Sequence, residues 1–128
     1  MRLLLDTHLA IWWEAGHPRL PATVIDLVRK QAESVFVSRA SLWEIAIKVS
    51  IGRLRIDAVK FAGNIEAHGF QWLDIRNQHI LAVASLATFD DHRDPFDRLL
   101  VAQSLTEPLL LLTADAKLGR YGATVRVI

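Results

Sequence analysis

Cysteine is absent from this chain of 128 residues. That excludes a disulfide scaffold and any thiolate metal site, and it fits a reducing cytoplasm. Long hydrophobic runs are missing too. No apolar stretch approaches the roughly 18 residues that a transmembrane helix needs, so a membrane partner is not expected. The apolar start is broken by Asp6, His8 and Glu14. No clean apolar region with a cleavage site follows, which argues against a signal peptide. Nor is there an excess of one charge: 15 Lys and Arg stand against 14 Asp and Glu, for a net charge of +1. Such a balance announces no polyanionic partner. If the protein binds one, the attraction must come from local basic groups and bound metal.

What is present is a folded-domain composition, 52% hydrophobic and 23% charged. The length suits one domain spanning residues 1–128, long enough to bury a core without metal or disulfide staples. Short apolar runs alternate with longer amphipathic ones. Leu3–Leu5, Val35–Val37, Phe70–Ile75, Leu109–Leu112 and Thr124–Val127 read as strands. Helices are expected over His8–Glu14, from Pro21 at a first helical position to Glu33, over Ser41–Ile51, Ala58–His68 and Gln78–Leu86, from Asp94-Pro95 to Leu105, and over Ala114–Leu118. Strands separated by helices imply βαβ units. The expected class is therefore a three-layer α/β/α domain with a mostly parallel central sheet, whose strand order one sequence does not disclose.

Ligands of such sheets sit at the carboxyl ends of the strands, and acids recur there. Asp6 follows three leucines and could simply cap the next helix. Ser41-Leu42-Trp43-Glu44 reads as a capping box, and Glu44 with Lys48 as a helical ion pair. That helix is apolar nearly all round, however, and an acid in apolar surroundings needs a cation, a proton or hydrogen bonds. Asp94 and Asp97 flank Pro95, where one could cap and the other favour the helix dipole. Asp115 follows the Leu109–Leu112 run and could cap a short helix. Each local role is ordinary. Together they bring like charges to one edge, where they raise each other's pKa or demand a cation. Hard ions such as Mg²⁺ or Mn²⁺ prefer carboxylate oxygens and assist phosphodiester hydrolysis.

These residues resemble the PIN-domain family, and within it the VapC-type toxins of toxin–antitoxin pairs. The resemblance rests on Leu3-Leu4-Leu5-Asp6-Thr7-His8, Val37-Ser38-Arg39-Ala40-Ser41-Leu42-Trp43-Glu44-Ile45, His92-Arg93-Asp94-Pro95-Phe96-Asp97-Arg98 and Leu112-Thr113-Ala114-Asp115, in that order. It implies an endoribonuclease using Mg²⁺ or Mn²⁺, acting on an RNA substrate, assembled as a homodimer and held by a cognate VapB-type antitoxin. It also implies the acidic set Asp6, Glu44, Asp97 and Asp115. Asp94 matches a subgroup pattern, as a fifth acid, a supporting group or only the helix cap. Thr7, Ser38 and Thr113 match small polar positions that orient carboxylates or water.

Arg39, Arg93 and Arg98 neighbour the acids and could hold phosphate or pair with the aspartates, with pairing favoured for Arg98. No two of His8, His17, His68, His79 and His92 have the spacing of a zinc site. They read mostly as surface or satisfied histidines, with His8 and His92 near enough to the acids to touch substrate. Of the adjacent Trp12 and Trp13, one is expected in the core and the other exposed to a partner. Two rivals are weaker. A phosphatase of the haloacid dehalogenase type wants an aspartate where His8 stands, and a receiver domain wants adjacent acids after its first strand. A catalytically silent RNA- or protein-binding module is disfavoured by the full set of acids.

Overall fold

Three consecutive leucines, none with exposed surface, need cover on both sides of their strand. The computed structural model describes residues 1–128 and supplies that cover. Its five strands are β1 (Arg2–Leu5), β2 (Ser34–Ser38), β3 (Gln71–Leu73), β4 (Leu110–Thr113) and β5 (Val125–Val127). They lie in the order β3-β2-β1-β4-β5, every neighbouring pair parallel. The helices are α1 (Thr7–Ala15), α2 (Ala22–Asp26), α3 (Arg39–Ser50), α4 (Ala58–Ala67), α5 (Asn77–Val83) and α6 (Pro95–Thr106). The α/β class expected from the pattern is what the chain adopts, with a sheet that is wholly parallel. No helix is long and apolar enough to cross a membrane.

β1 occupies the middle of the sheet, with Leu5 paired to Val37 on one side and Leu112 on the other. Successive side chains of a strand point to opposite faces. Leu3 and Leu5 therefore join Leu9, Val24, Ile45, Phe61 and Ile65 on one face. Leu4 joins Leu100, Val101, Leu111 and Leu118 on the other. Burying each such leucine contributes about 1.5–3 kcal/mol. Between β1 and β4 the strand order reverses, and a crevice opens at the carboxyl ends of strands at such a switch point. Asp6 follows β1 there and Asp115 follows β4.

Several boundaries differ from the sequence reading. Pro21 is the N-cap and not the first helical residue, since its ψ of 139° is extended. The helix after it widens into a π turn at Leu27–Gln31 and stops short of Glu33. β3 is shorter than Phe70–Ile75. The segment after Asp115 is a 3₁₀ turn, Ala116–Tyr121. The largest difference is at α3. It starts at Arg39, capped by Ser38, whose Oγ accepts from the Ala40 amide at 3.0 Å. Ser41 lies inside the helix, so Ser41 and Glu44 form no capping box.

Candidate metal centre

Asp6 caps α1. Its Oδ1 accepts from the Leu9 amide at 2.8 Å, and its Oδ2 accepts from Thr113 Oγ1 at 2.5 Å. The Thr113 oxygen in turn accepts from the Asp115 amide at 3.0 Å. One hydroxyl thus ties the end of β1 to the turn after β4. Asp6 is only 5% exposed. Burial pushes its carboxyl above the ordinary range, the hydrogen bonds from Thr113 and Leu9 and the charge on His8 oppose this, and the negative Asp115 adds to the rise.

Glu44 faces inward from α3. It is buried beside Ala40, Ser41 and Ile45, while its neighbour Trp43 is 58% exposed. Glu44 Oε1 accepts from Thr7 Oγ1 at 2.8 Å, and Oε2 accepts from Lys48 Nζ at 2.8 Å. Thr7 Oγ1 also lies 2.9 Å from Ser41 Oγ. Ser41 is a buried member of the centre that the sequence reading missed, because it treated that residue as a helix cap.

Asp97 sits in the first turn of α6, behind the Asp94 cap whose Oδ1 accepts the Asp97 amide at 2.9 Å. The Asp97 carboxyl is pushed up to about 6. Burial is the main cause. The charges of Asp94 and Glu44 push the same way, and the contact with His92 opposes them. His92 is buried, with Nε2 3.2 Å from Asp97 Oδ2 and Nδ1 2.8 Å from the Tyr121 hydroxyl. His92, Asp97 and Asp115 each offer a donor atom, and these atoms lie within 4.8 Å of one another.

The acids therefore repel one another in two groups: Asp6 feels Asp115, and Asp97 feels Asp94 and Glu44. Lysine and arginine compensate them poorly, for Lys48 on Glu44 is the ion pair such a residue makes within the set. Carboxylate oxygens with one imidazole suit a hard or borderline divalent ion. Two clefts flank the cluster. One, of about 270 Å³, is lined by Asp6, His8, Trp12, Arg19, Ala114 and Asp115. The other, of about 360 Å³, is lined by Thr88, Phe89, Asp90, His92, Arg93 and Arg98. Arg19 was not singled out from sequence, because it lies between Pro18 and Leu20, far from any acid motif.

Other expected residues are used differently. The Ser38 hydroxyl is occupied by the cap of α3 and bonds no acid. Arg39 pairs with Asp74 at 3.1 Å and lies over the Trp72 ring. Arg98 pairs with no aspartate. It donates to the carbonyl of Ala87 at 2.9 Å and to the Tyr121 hydroxyl at 3.1 Å. Trp12 and Trp13 are both half-buried: Trp12 stacks on His17, and Trp13 packs against Phe70. The exposed tryptophan is Trp43, which meets Phe96 edge-on at 5.1 Å. His79, expected among the surface or satisfied histidines, is fully buried between Arg76, Gln103 and Glu107.

Residues 3–123 match the PIN domain family. The chain belongs to that family. The matched span contains Asp6, Glu44, Asp97 and Asp115. Curated proteins give no match. Among solved structures, the PIN domain is similar to VapBC2 from Rickettsia felis bound to a DNA fragment from its promoter. That likeness has 14% identity and a TM-score of 0.67, covering 100% of this chain and 98% of the other. A toxin–antitoxin complex from Klebsiella pneumoniae matches with 14% identity and a TM-score of 0.68, over 98% and 96% of the two chains. VapC20 from Mycobacterium tuberculosis, described as a Sarcin-Ricin loop cleaving toxin, matches with 20% identity and a TM-score of 0.65, over 97% and 98%. At these identities the likeness is one of fold.

Proposed function

We propose that this PIN domain is a Mg²⁺- or Mn²⁺-dependent endoribonuclease, the toxin of a VapBC-type pair. One observation carries the reading: in a chain of the PIN-domain family, the buried acids Asp6 and Glu44, the half-buried Asp97 and the exposed Asp115, from four separate segments, stand near one end of a parallel sheet with little compensating charge. The fold neighbours include a toxin–antitoxin complex and a toxin that cleaves the Sarcin-Ricin loop, which supports the same class. A VapB-type antitoxin, a homodimeric state and a cytoplasmic site of action belong to this reading.

In it, Asp6, Glu44 and Asp97 hold the principal ion and Asp115 completes the set. When bound, such an ion supplies Lewis-acid stabilisation to a scissile phosphate and lowers the pKa of water. Thr113 and Thr7 fix the rotamers of Asp6 and Glu44 by hydrogen bonds at 2.5 and 2.8 Å. Asp94 holds the first turn of α6, and so Asp97, in place. The cleft beside Asp6 and Asp115 brings His8 and Arg19 to a phosphate and the Trp12 ring to a base.

The test is cleavage of mixed RNAs by the purified chain with Mg²⁺ or Mn²⁺, then with chelator, alongside Asp6→Asn. Metal-dependent cutting abolished by the substitution is expected. Cutting that survives both chelator and Asp6→Asn overturns the metal centre. RNA bound but never cut, across many substrates, points to a binding module instead.

A further inference from the structure

Resting on that reading of the centre, we infer that His92 is itself a metal ligand, giving an imidazole nitrogen to an otherwise carboxylate set. Nothing in its spacing from other histidines suggests this.

His92 Nε2 faces the acids, within 4.8 Å of donor oxygens on Asp97 and Asp115. Its separation from Asp97 Oδ2 is 3.2 Å. A tight charge-assisted hydrogen bond of this kind measures about 2.7–2.9 Å. The two groups therefore stand side by side around a shared space, and neither has closed on the other.

The far side of the ring is braced as ligating imidazoles are. A metal-bound histidine holds its second ring nitrogen in a hydrogen bond that sets its tautomer and tilt. Here Nδ1 meets the Tyr121 hydroxyl at 2.8 Å, and that oxygen also accepts from Arg98 Nη1 at 3.1 Å. Phe89 packs edge-on against Tyr121 and forms a backbone bridge with His92. Arg98 is anchored in turn to the carbonyl of Ala87. The hydroxyl matters because it can either donate or accept. It donates to Nδ1 when Nε2–H bonds Asp97. It accepts from Nδ1–H when the Nε2 lone pair turns to a cation. An arginine or a carbonyl in its place could serve only one of these tautomers.

A nitrogen donor has a consequence for metal choice. Mg²⁺ takes oxygen ligands and keeps its waters, whereas first-row transition ions accept imidazole readily. His92 thus shifts the preference of the centre from Mg²⁺ toward Mn²⁺ or Co²⁺.

The test uses the full chain, freed of metal and titrated with MnCl₂, and reads pulsed electron paramagnetic resonance of the bound ion. Directly bonded ¹⁴N modulation is expected. It should change to a ¹⁵N pattern when only histidine is ¹⁵N-labelled, a comparison that needs no variant and no folding control. His92→Gln should abolish the modulation and weaken Mn²⁺ at least tenfold while changing Mg²⁺ affinity much less. Tyr121→Phe should keep the modulation and weaken Mn²⁺ more mildly. His8→Gln should leave the modulation intact. Mn²⁺ that binds in an Asp97-dependent way without nitrogen modulation overturns the role of His92 and leaves the carboxylate centre standing. The same holds for modulation lost in His8→Gln and kept in His92→Gln. Mn²⁺ that does not bind, or binds equally well to Asp97→Asn, overturns the centre and the ligand together.

Discussion

Thr113 donates its hydroxyl proton to Asp6 across 107 positions of chain, at 2.5 Å. The pair joins the ends of two adjacent central strands, and it is the reason a buried carboxylate can face the crevice in one fixed rotamer. Replacing Thr113 with Val keeps the shape and removes the donor. Leaving a buried acceptor short of a partner costs about 1–3 kcal/mol. Thr113→Val is therefore expected to lower the urea midpoint by that equivalent and to weaken Mn²⁺ binding in calorimetry. An unchanged midpoint and affinity would show that the bond orients nothing.

The acids are a burden on the empty protein, and the sign can be worked out. Burial raises the Asp97 carboxyl from 3.8 to about 6. The folded state therefore holds a proton that the unfolded state has released. The stability tied to this proton is complete below about pH 4 and is lost as pH rises through 6. Asp6 shifts in the same direction. In EDTA, Asp97→Asn should be more stable than the parent at pH 7.5 by about 1–2 kcal/mol, with the gain disappearing near pH 4. Saturating Mn²⁺ should stabilise the parent and not the variant. Urea melts across pH, with and without metal, measure all of this. A constant difference between the two proteins from pH 4 to 7.5 would falsify the account.

Arg19 lines the cleft beside Asp6 and Asp115. If it meets a phosphate, Arg19→Ala should weaken RNA binding to an inactive Asp6→Asn background on all sequences alike. The slope of log affinity against log salt should fall by about 0.7 for one lost contact to a single strand. Fluorescence anisotropy at several salt concentrations reads both. Sequence-selective loss with no change in slope would assign Arg19 another role.

His79 offers a control away from the centre. It is fully buried, its Nδ1 accepts from the Arg76 amide at 3.0 Å, and its Nε2 pairs with Glu107 at 2.5 Å. The amide must donate, so the neutral ring carries its proton on Nε2. His79→Ala strands these groups and opens a cavity between α5 and α6. A loss of about 2–4 kcal/mol is expected, with cleavage per folded molecule unchanged. A selective loss of cleavage in a fully folded variant would tie this pair to catalysis.

Much of this was legible in the residues themselves. Leu3–Leu5 and Leu109–Leu112 read as strands covered on both faces, and the acids after them stand at strand ends. The start of α3 was not legible, because Ser41 and Glu44 have capping-box spacing and Ser38 can cap equally well. In the structure β2 runs to Ser38 and α3 begins at Arg39, which rules out the capping box and leaves Glu44 as the buried acid that its apolar helix suggested. The role of His92 was hidden for a related reason. Asp97 lies five positions on, but the brace on the far side of the ring is Tyr121, 29 positions away, which no local spacing encodes. Trp43 stayed hidden because an exposed tryptophan and a buried one look alike in an apolar helix.

The central position of β1 also has a consequence in time. This strand leaves the ribosome before its neighbour β4 and the residues Thr113 and Asp115, which are made more than a hundred positions after it. Until they emerge, Asp6 has neither its hydroxyl partner nor its companion acid. Contacts this distant in sequence also close slowly. A centre assembled this way stays incomplete until synthesis has passed Asp115.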